Sequence, residues 1–354
     1  MYLHALATAV PDATYSQMEC WEIAQHSSAR ERLSRRSVLI LQSILKGESG
    51  IATRHFAIPA IKNVFDLNAD QLNTAFREEA PMLAGRALTV ALEKAGMNAD
   101  KIDALLVCTC TGYLCPGVSS YVAEQLGLRT DAYLQDLVGL GCGAAIPTLR
   151  SAQAVLAAHP DAVVACIAVE ICSAAFYLDD DPGVIISACL FADGAAATLW
   201  RSTPGPTGLG CRAFDTLHLP AERDKLRFEQ KDGKLRNLLD PGVPALAANA
   251  VSQLFARTKH DDGALPISQI ISHPGGRDVL NALEEALPHH PLTASRTILR
   301  SYGNMSSPSV LFALEEALRS SSPDNAGDWW LVSFGAGFSA HSCRFGVGTG
   351  GSSQ

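Results

Sequence analysis

No stretch of this chain reaches the roughly 18 to 20 consecutive apolar residues that a membrane-spanning helix needs, so no membrane insertion is expected. Positive charge is also short. The 28 lysines and arginines are outnumbered by 36 aspartates and glutamates, a formal net charge of −8, whereas proteins that hold nucleic acid need a basic footprint to displace counterions from phosphates. No nucleic-acid partner is therefore expected. The ten cysteines lack the spacing of a disulfide framework, and the opening residues Met1-Tyr2-Leu3-His4-Ala5-Leu6-Ala7 read as a strand and not as a secretory signal. A reducing, cytoplasmic setting is the expectation. Collagen, coiled-coil and low-complexity patterns are missing too. With 47% hydrophobic and 18% charged residues over 354 positions, the chain has material for a large core, in two domains or in one pseudo-symmetric unit.

What the chain does contain is an alternation of buried-type strands and helices. Residues 3 to 10 read as a strand, Met82 to Gly96 as a helix closed by glycine, Ile102 to Cys110 as a buried strand, Ser119 to Leu126 as a helix ending at Gly127, and Asp161 to Val169 as another buried strand. The Pro and Gly cluster from Ser202 to Gly208 separates an N-terminal half, 1–206, from a C-terminal half, 207–354. Beyond it the order returns. Ile267 to His273 takes the place of the strand at 102 to 108, Gly303-Asn304-Met305 and its helix take the place of Gly141-Cys142-Gly143 and its helix, and Trp329 to Phe334 takes the place of the strand at 161 to 169. The offset stays at about 162 to 168 residues, which predicts a duplicated α/β fold with two pseudo-symmetric halves.

A duplication brings equivalent strand ends together on the axis between the halves, and three chemistry-bearing residues sit at such ends. Cys142 lies between glycines at the start of a helical run, where the helix N-terminus is expected to lower the thiol pKa. His273, in Ser272-His273-Pro274-Gly275-Gly276, stands at a strand tip. Asn304 follows Gly303. Together they suggest a thiol nucleophile, a histidine paired with it, and two hydrogen-bond donors, from His273 and Asn304, aimed at one carbonyl oxygen. That set suits thioester exchange and enolate stabilisation, whereas hydrolysis would ask for a base poised on water. Arg30, Arg32, Arg35, Arg36, Lys46 and Arg54 crowd a region read as helical and fit either a phosphorylated ligand or a solvated helix face.

The motifs Gly141-Cys142-Gly143, Leu190-Phe191-Ala192-Asp193-Gly194-Ala195-Ala196, His273-Pro274-Gly275-Gly276, Gly303-Asn304-Met305-Ser306-Ser307 and Ser333-Phe334-Gly335-Ala336-Gly337-Phe338, in this order, resemble the signature stretches of type III polyketide synthases, the chalcone synthase-like branch of the thiolase superfamily. The resemblance runs from about residue 50 to the C-terminus and has a bacterial cast, with Leu140 where plant members carry glutamine. It implies a thiolase-like duplicated αβαβα layered fold and a homodimer that takes acyl-CoA and malonyl-CoA directly. No metal or other cofactor is implied, because CoA thioesters are the substrates.

By this resemblance Cys142 carries the acyl chain, and His273 with Asn304 drives malonyl-CoA decarboxylation. Phe191 is the gatekeeper of the cavity; Gly335 to Phe338 shape its floor, and Ser306, Cys172, Ala175 and Cys115 are further substrate-side positions. Arg54 and Arg277 are candidate contacts for CoA phosphates. Cys115 lies in the Tyr113-Leu114-Cys115-Pro116 loop expected to reach across the dimer. A second gatekeeping phenylalanine has no clear counterpart near Gly233 to Leu239, where Arg236 and Asn237 stand, and its absence together with the small Ala175 is expected to open the cavity. The expected activity is loading of an acyl-CoA on Cys142, repeated decarboxylative Claisen condensation with malonyl-CoA, and cyclisation to a resorcinol, pyrone or phenol. A single-condensation β-ketoacyl synthase III-like enzyme using a malonyl-carrier protein is the nearest competitor. A non-catalytic acyl-CoA-binding homologue is a third reading.

Overall fold

The computed structural model describes residues 1–59, 61–258, 265–321 and 327–347. In chain order the first half holds β1 (Tyr2–Ala9), β2 (Thr14–Ser16), α1 (Gln17–His26), α2 (Arg35–Lys46), β3 (Thr53–His55), α3 (Ala69–Ala95), β4 (Ala104–Cys108), α4 (Val118–Leu126), β5 (Tyr133–Leu137), α5 (Ala145–Ala158), β6 (Val164–Glu170), α6 (Pro182–Leu190) and β7 (Gly194–Arg201). The second holds β8 (Leu209–His218), β9 (Leu226–Lys231), β10 (Lys234–Leu239), α7 (Val243–Arg257), β11 (Ile267–Ser272), α8 (Arg277–Ala286), α9 (Thr293–Tyr302), α10 (Ser309–Ser320), β12 (Asp328–Gly335) and β13 (Ser339–Val347).

The strands repeat their pairing. In the first half β4 runs parallel to β6, β6 antiparallel to β7, and β7 antiparallel to β1. In the second, β11 runs parallel to β12, β12 antiparallel to β13, and β13 antiparallel to β8. The two sheets meet edge to edge through the pair Tyr2 and Gly210, and β5 adds a parallel edge strand beside β4. Every residue of β4 and β6 is buried. Such continuous apolar strands are what a sheet needs when helices cover both of its faces.

Five layers result. Helices α3 and α4 cover the outside of the first sheet, α7 with α8 packed on it covers the outside of the second, and α5 and α10 touch strands of both sheets from the layer between them. This is the expected αβαβα architecture. Helix α3 differs from its expected bounds: it starts at Ala69, where Asn68 and Gln71 form a capping box, and ends at Gly96 with φ +60°. Pro81 lies inside it. Proline lacks an amide donor and imitates a helix start, which hid the first turns. Arg54 also departs from expectation, since it lies on β3 and not on a helix.

Among the described residues no helix is long and apolar enough to cross a membrane. Trp200 of β7 stacks on Phe345 of β13 at 6.0 Å and donates from Nε1 to Thr198 Oγ1 at 2.7 Å, so one buried side chain ties the two sheets together. Replacing Trp200 with alanine is expected to cost about 3–5 kcal/mol of folding stability. Denaturant unfolding followed by circular dichroism measures it, and a loss below 1 kcal/mol would show that the sheet junction does not depend on this ring.

Candidate active site

The layered packing decides where the functional side chains meet. Gly141–Gly143 forms a tight turn that leads into α5, and Asn304 to Pro308 leads into α10, so both turns end at the N-termini of the two helices shared by the sheets. Strand β12 clamps the first turn from the other half. Ser333 Oγ donates to the Gly143 carbonyl at 3.0 Å, and a Cβ on Gly335 would lie 2.6 Å from the Gly143 amide nitrogen and 2.9 Å from that of Cys142. Only glycine permits that approach.

The second turn is strained and held by its own hydrogen bonds. Ser306 has φ +59°, a left-handed conformation that costs a non-glycine residue about 1–3 kcal/mol. Its amide donates to Asn304 Oδ1 at 2.8 Å, and its Oγ donates to Cys142 Sγ at 3.2 Å. Asn304 in turn pairs with the end of α6: its amide donates to the Leu190 carbonyl at 2.9 Å, and its carbonyl accepts from the Ala192 amide at 2.8 Å, on either side of Phe191. Asn304 Nδ2 spends one hydrogen on the Gly275 carbonyl at 3.0 Å and keeps the second. His273 follows β11, its amide bonded to the Val332 carbonyl at 2.8 Å and its ring set edge-on to Phe334 at 5.4 Å.

Cys142, Phe191, His273, Asn304 and Arg277 all line one cavity of about 540 Å³, whose other walls include α2 and the start of α7. Electrostatics there departs from the expected thiolate. Burial pushes the Cys142 thiol up to about 12, the Ser306 hydrogen bond opposes this without cancelling it, and the Glu170 carboxylate adds to the rise. Desolvation outweighs the helix terminus because the side chain has almost no water around it. Burial likewise holds His273 down, to about 3. The unliganded site therefore contains a thiol and a neutral imidazole whose Nδ1 has no hydrogen-bond partner among the described residues.

The remaining expected positions scatter. Cys172 and Ala175 line a separate void of about 10 Å³ that shares the Phe191 wall with the larger cavity. Phe338 is buried in the core, stacked on Phe334 at 6.4 Å. Cys115 is exposed. Arg277 stands at the cavity wall, its Nε 2.9 Å from Asp278 Oδ1 and another guanidinium nitrogen on the Glu48 carbonyl. Arg54 lies elsewhere: it is 1% exposed and donates to the carbonyls of Ala188 at 2.8 Å and Phe191 at 2.9 Å, so it braces the segment around Phe191 from inside.

Two features were missed in the sequence. The expected widening behind Phe191 is absent, because Phe228 fills that space: the hairpin through Asp232-Gly233 pairs Phe228 with Asn237 in register. The Asp-Gly turn was the available signal, since counting outward from it pairs the two positions. Glu170 follows directly on the strand read as Asp161 to Val169. Its carboxylate is completely buried beside the site, and an acid closing an otherwise apolar strand could have flagged it.

Comparison with known proteins follows the same lines. Residues 2–206 match the family model described as FAE1/Type III polyketide synthase-like protein, and residues 218–343 match that of the chalcone and stilbene synthases, C-terminal domain. A 1,3,6,8-tetrahydroxynaphthalene synthase of Streptomyces peucetius subsp. caesius is 32% identical over 346 residues, covering 95% of this chain and 90% of that one. A 3,5-dihydroxyphenylacetyl-CoA synthase of Streptomyces toyocaensis is 28% identical over 336 residues, 88% and 81% of the two chains. Among solved structures, the 1,3,6,8-tetrahydroxynaphthalene synthase of Streptomyces coelicolor A3(2), a bacterial type III polyketide synthase, superposes with a TM-score of 0.86 at 25% identity, covering 99% of this chain and 100% of that one.

The clamp at Gly335 makes a direct prediction. Gly335→Ala forces a methyl group against three backbone atoms of the cysteine turn, at a cost of about 1–3 kcal/mol. Turnover is expected to fall by at least about tenfold as the thiol is displaced. Thermal melting and initial-rate assays check this, and wild-type values in both would show that the turn yields freely.

Proposed function

We propose that this chain, which belongs to the type III polyketide synthase family, carries its growing product on Cys142 and builds it with His273 and Asn304. The family activity is condensation of thioesters with malonyl units followed by cyclisation, an acyltransferase chemistry. The observation that carries the assignment of roles is the shared cavity: one thiol, one imidazole and one amide donor, each from a different turn, open onto the same 540 Å³ space beside Phe191.

In this reading the Cys142 sulfur attacks the thioester carbon of an acyl-CoA while His273 accepts the thiol proton and passes it to the departing CoA sulfur. Exchange of one thioester for another is nearly isoenergetic, so the neutral resting pair needs only a transient charge separation. Malonyl-CoA then binds with its thioester oxygen between His273 and the free hydrogen of Asn304 Nδ2. Carbon dioxide leaves, the electrons of the broken bond pass into the enolate, and the two donors stabilise the oxygen where that charge develops. The enolate carbon attacks the acyl group on Cys142 and the sulfur leaves; the chain, lengthened by two carbons and now a CoA thioester, is attacked in turn by the Cys142 sulfur, which expels CoA and reloads the chain for another round. No metal ion or redox cofactor has a step in this scheme.

The 10 Å³ void behind Phe191 supports a short starter, since no acyl chain fits there without displacing Phe191 or Phe228. Two of the relatives compared above are named for small hydroxylated aromatics, and we assign this chain a product of that class, built from a small acyl-CoA and malonyl-CoA in the cytoplasm. We also assign the chain a homodimeric state. The outer edge of β5 has no partner strand among the described residues, and Tyr133, Leu134 and Val138 are exposed along its length and just beyond its end, an apolar margin of the kind that proteins cover.

Incubation with malonyl-CoA and short acyl-CoAs is expected to give a cyclised polyketide by mass spectrometry and an acyl adduct on Cys142. Cys142→Ala is expected to abolish both; full product from that variant would overturn the assignment. Light scattering is expected to return twice the 37.5 kDa chain mass, falling to a single chain mass on Leu134→Arg. A wild-type monomer would refute the dimer.

A further inference from the structure

Helix α2 carries an outer face that the proposed chemistry does not use. Its inner side packs Leu41 and Leu45 into the core, while Arg35, Arg36, Gln42, Ser43 and Lys46 are exposed and Leu39 is 56% exposed. The helix contains no aspartate or glutamate, and Arg32, just before it, is exposed as well. None of these four cations makes an ion pair among the described residues; Lys46 lies 4.7 Å over the Trp21 ring. On a protein of net charge −8 they create a local positive field around an exposed leucine.

That arrangement does nothing for the helix itself. Arg35 and Arg36 stand in its first turn, where the positive end of the helix dipole opposes cations. Helices α1 and α3 have the favourable choice in the same place, Glu19 and Asp70. Helix α2 also forms one wall of the cavity that holds Cys142, through Ile40, Ser43 and Ile44. Arg36 precedes Ile40 by four residues and Ser43 by seven, so it shares their face and lies about 10 Å beyond Ser43 along the axis.

The rim of the cavity narrows the choice of partner. Its charged residues are Glu48, Asp240, Asp278 and Arg277, and Arg277 is already engaged by Asp278 and by the Glu48 carbonyl. A nucleotide with several phosphates meets more acid than base there. A pantetheine arm joined to a protein through one phosphodiester meets apolar Ile40, Ile44, Leu226, Leu239 and Val243 instead. CoA donors can still enter by the pantetheine portion they share with such an arm.

We propose that the outer face of α2 is a docking surface for a small acidic carrier protein, which brings the starter acyl group to Cys142 on a pantetheine arm. Arg32, Arg35, Arg36 and Lys46 pair with carboxylates of the carrier, and Leu39 among them receives an apolar side chain. The Cys142 sulfur bonds to the acyl carbon, the bond from that carbon to the pantetheine sulfur breaks, and the thiol proton passes to the departing sulfur. Malonyl-CoA remains the extender. The inference goes beyond loading from acyl-CoA, rests on the reading of Cys142 as the acyl acceptor, and is tested so that the two can fail separately.

The experiment compares three donors of one acetyl group: the acetylated holo form of a bacterial fatty-acid acyl carrier protein, acetyl-CoA and acetyl-pantetheine. Acetylation of Cys142 is timed by peptide mass spectrometry. The carrier is expected to load Cys142 at least about tenfold faster than acetyl-pantetheine at low salt, the gain of an electrostatically guided encounter, and to lose that gain at high salt. The double variant Arg35→Ala, Arg36→Ala is expected to load about tenfold more slowly from the carrier. Its rates with acetyl-CoA and acetyl-pantetheine are expected to stay within about twofold of wild type, since both side chains are on the surface. Equal losses with the carrier and with acetyl-CoA would assign the arginines to CoA phosphates and overturn the inference. A wild-type carrier rate that matches acetyl-pantetheine, or that ignores salt, overturns it too, and this decides alone if the variant does not fold. Transfer from the two small donors but not from the carrier removes the docking surface and leaves Cys142 its role. No adduct from any donor overturns the acyl-acceptor reading as well.

Discussion

The site depends on one packing constraint: two helices, α5 and α10, must serve two sheets at once. A helix in that position is apolar over most of its surface, and it can begin only where the chain emerges between the layers. The turns that start these helices are therefore forced to the same seam. Cys142 and Asn304 are neighbours because the layers leave no other place for the two helix beginnings. The clamp by β12, through Ser333 and Gly335, follows from the same crowding.

Burial then sets the charge state. A thiol at a helix N-terminus in water would ionise more easily than a free cysteine, but the same turn enclosed by two sheets does not. Desolvation is the larger effect, and it acts on His273 in the same sense, so both groups rest neutral. The chemistry begins from a site that holds its charges in reserve.

The sequence disclosed the architecture more readily than the lining. Long apolar strands such as Ala104–Cys108 and Val164–Glu170, repeated near Ile267 and Asp328, carry a strong periodic signal, and the duplication follows from their order. Cys142, His273 and Asn304 stood out because each interrupts such a pattern at a strand or helix end. Phe228 did not, since its role comes from pairing across a hairpin and its own neighbours are polar. Arg54 misled for the opposite reason: an arginine close to other arginines looks solvent-facing, while its guanidinium is spent on two carbonyls in the interior. Glu170 was visible as a letter, but the groups that hydrogen-bond to it come from segments far apart in the chain.

The hydrogen bonds on either side of Phe191 constrain how a gate at this place can work. Leu190 and Ala192 are fastened to Asn304, and Arg54 braces the same peptide from beneath, so the backbone around Phe191 is held on both sides. Any opening has to come from rotation of the phenyl ring about its own side-chain bonds, a motion that is fast compared with enzymatic turnover. Access between the 540 Å³ cavity and the small void behind Phe191 is therefore set by the volume and rotation of that one ring.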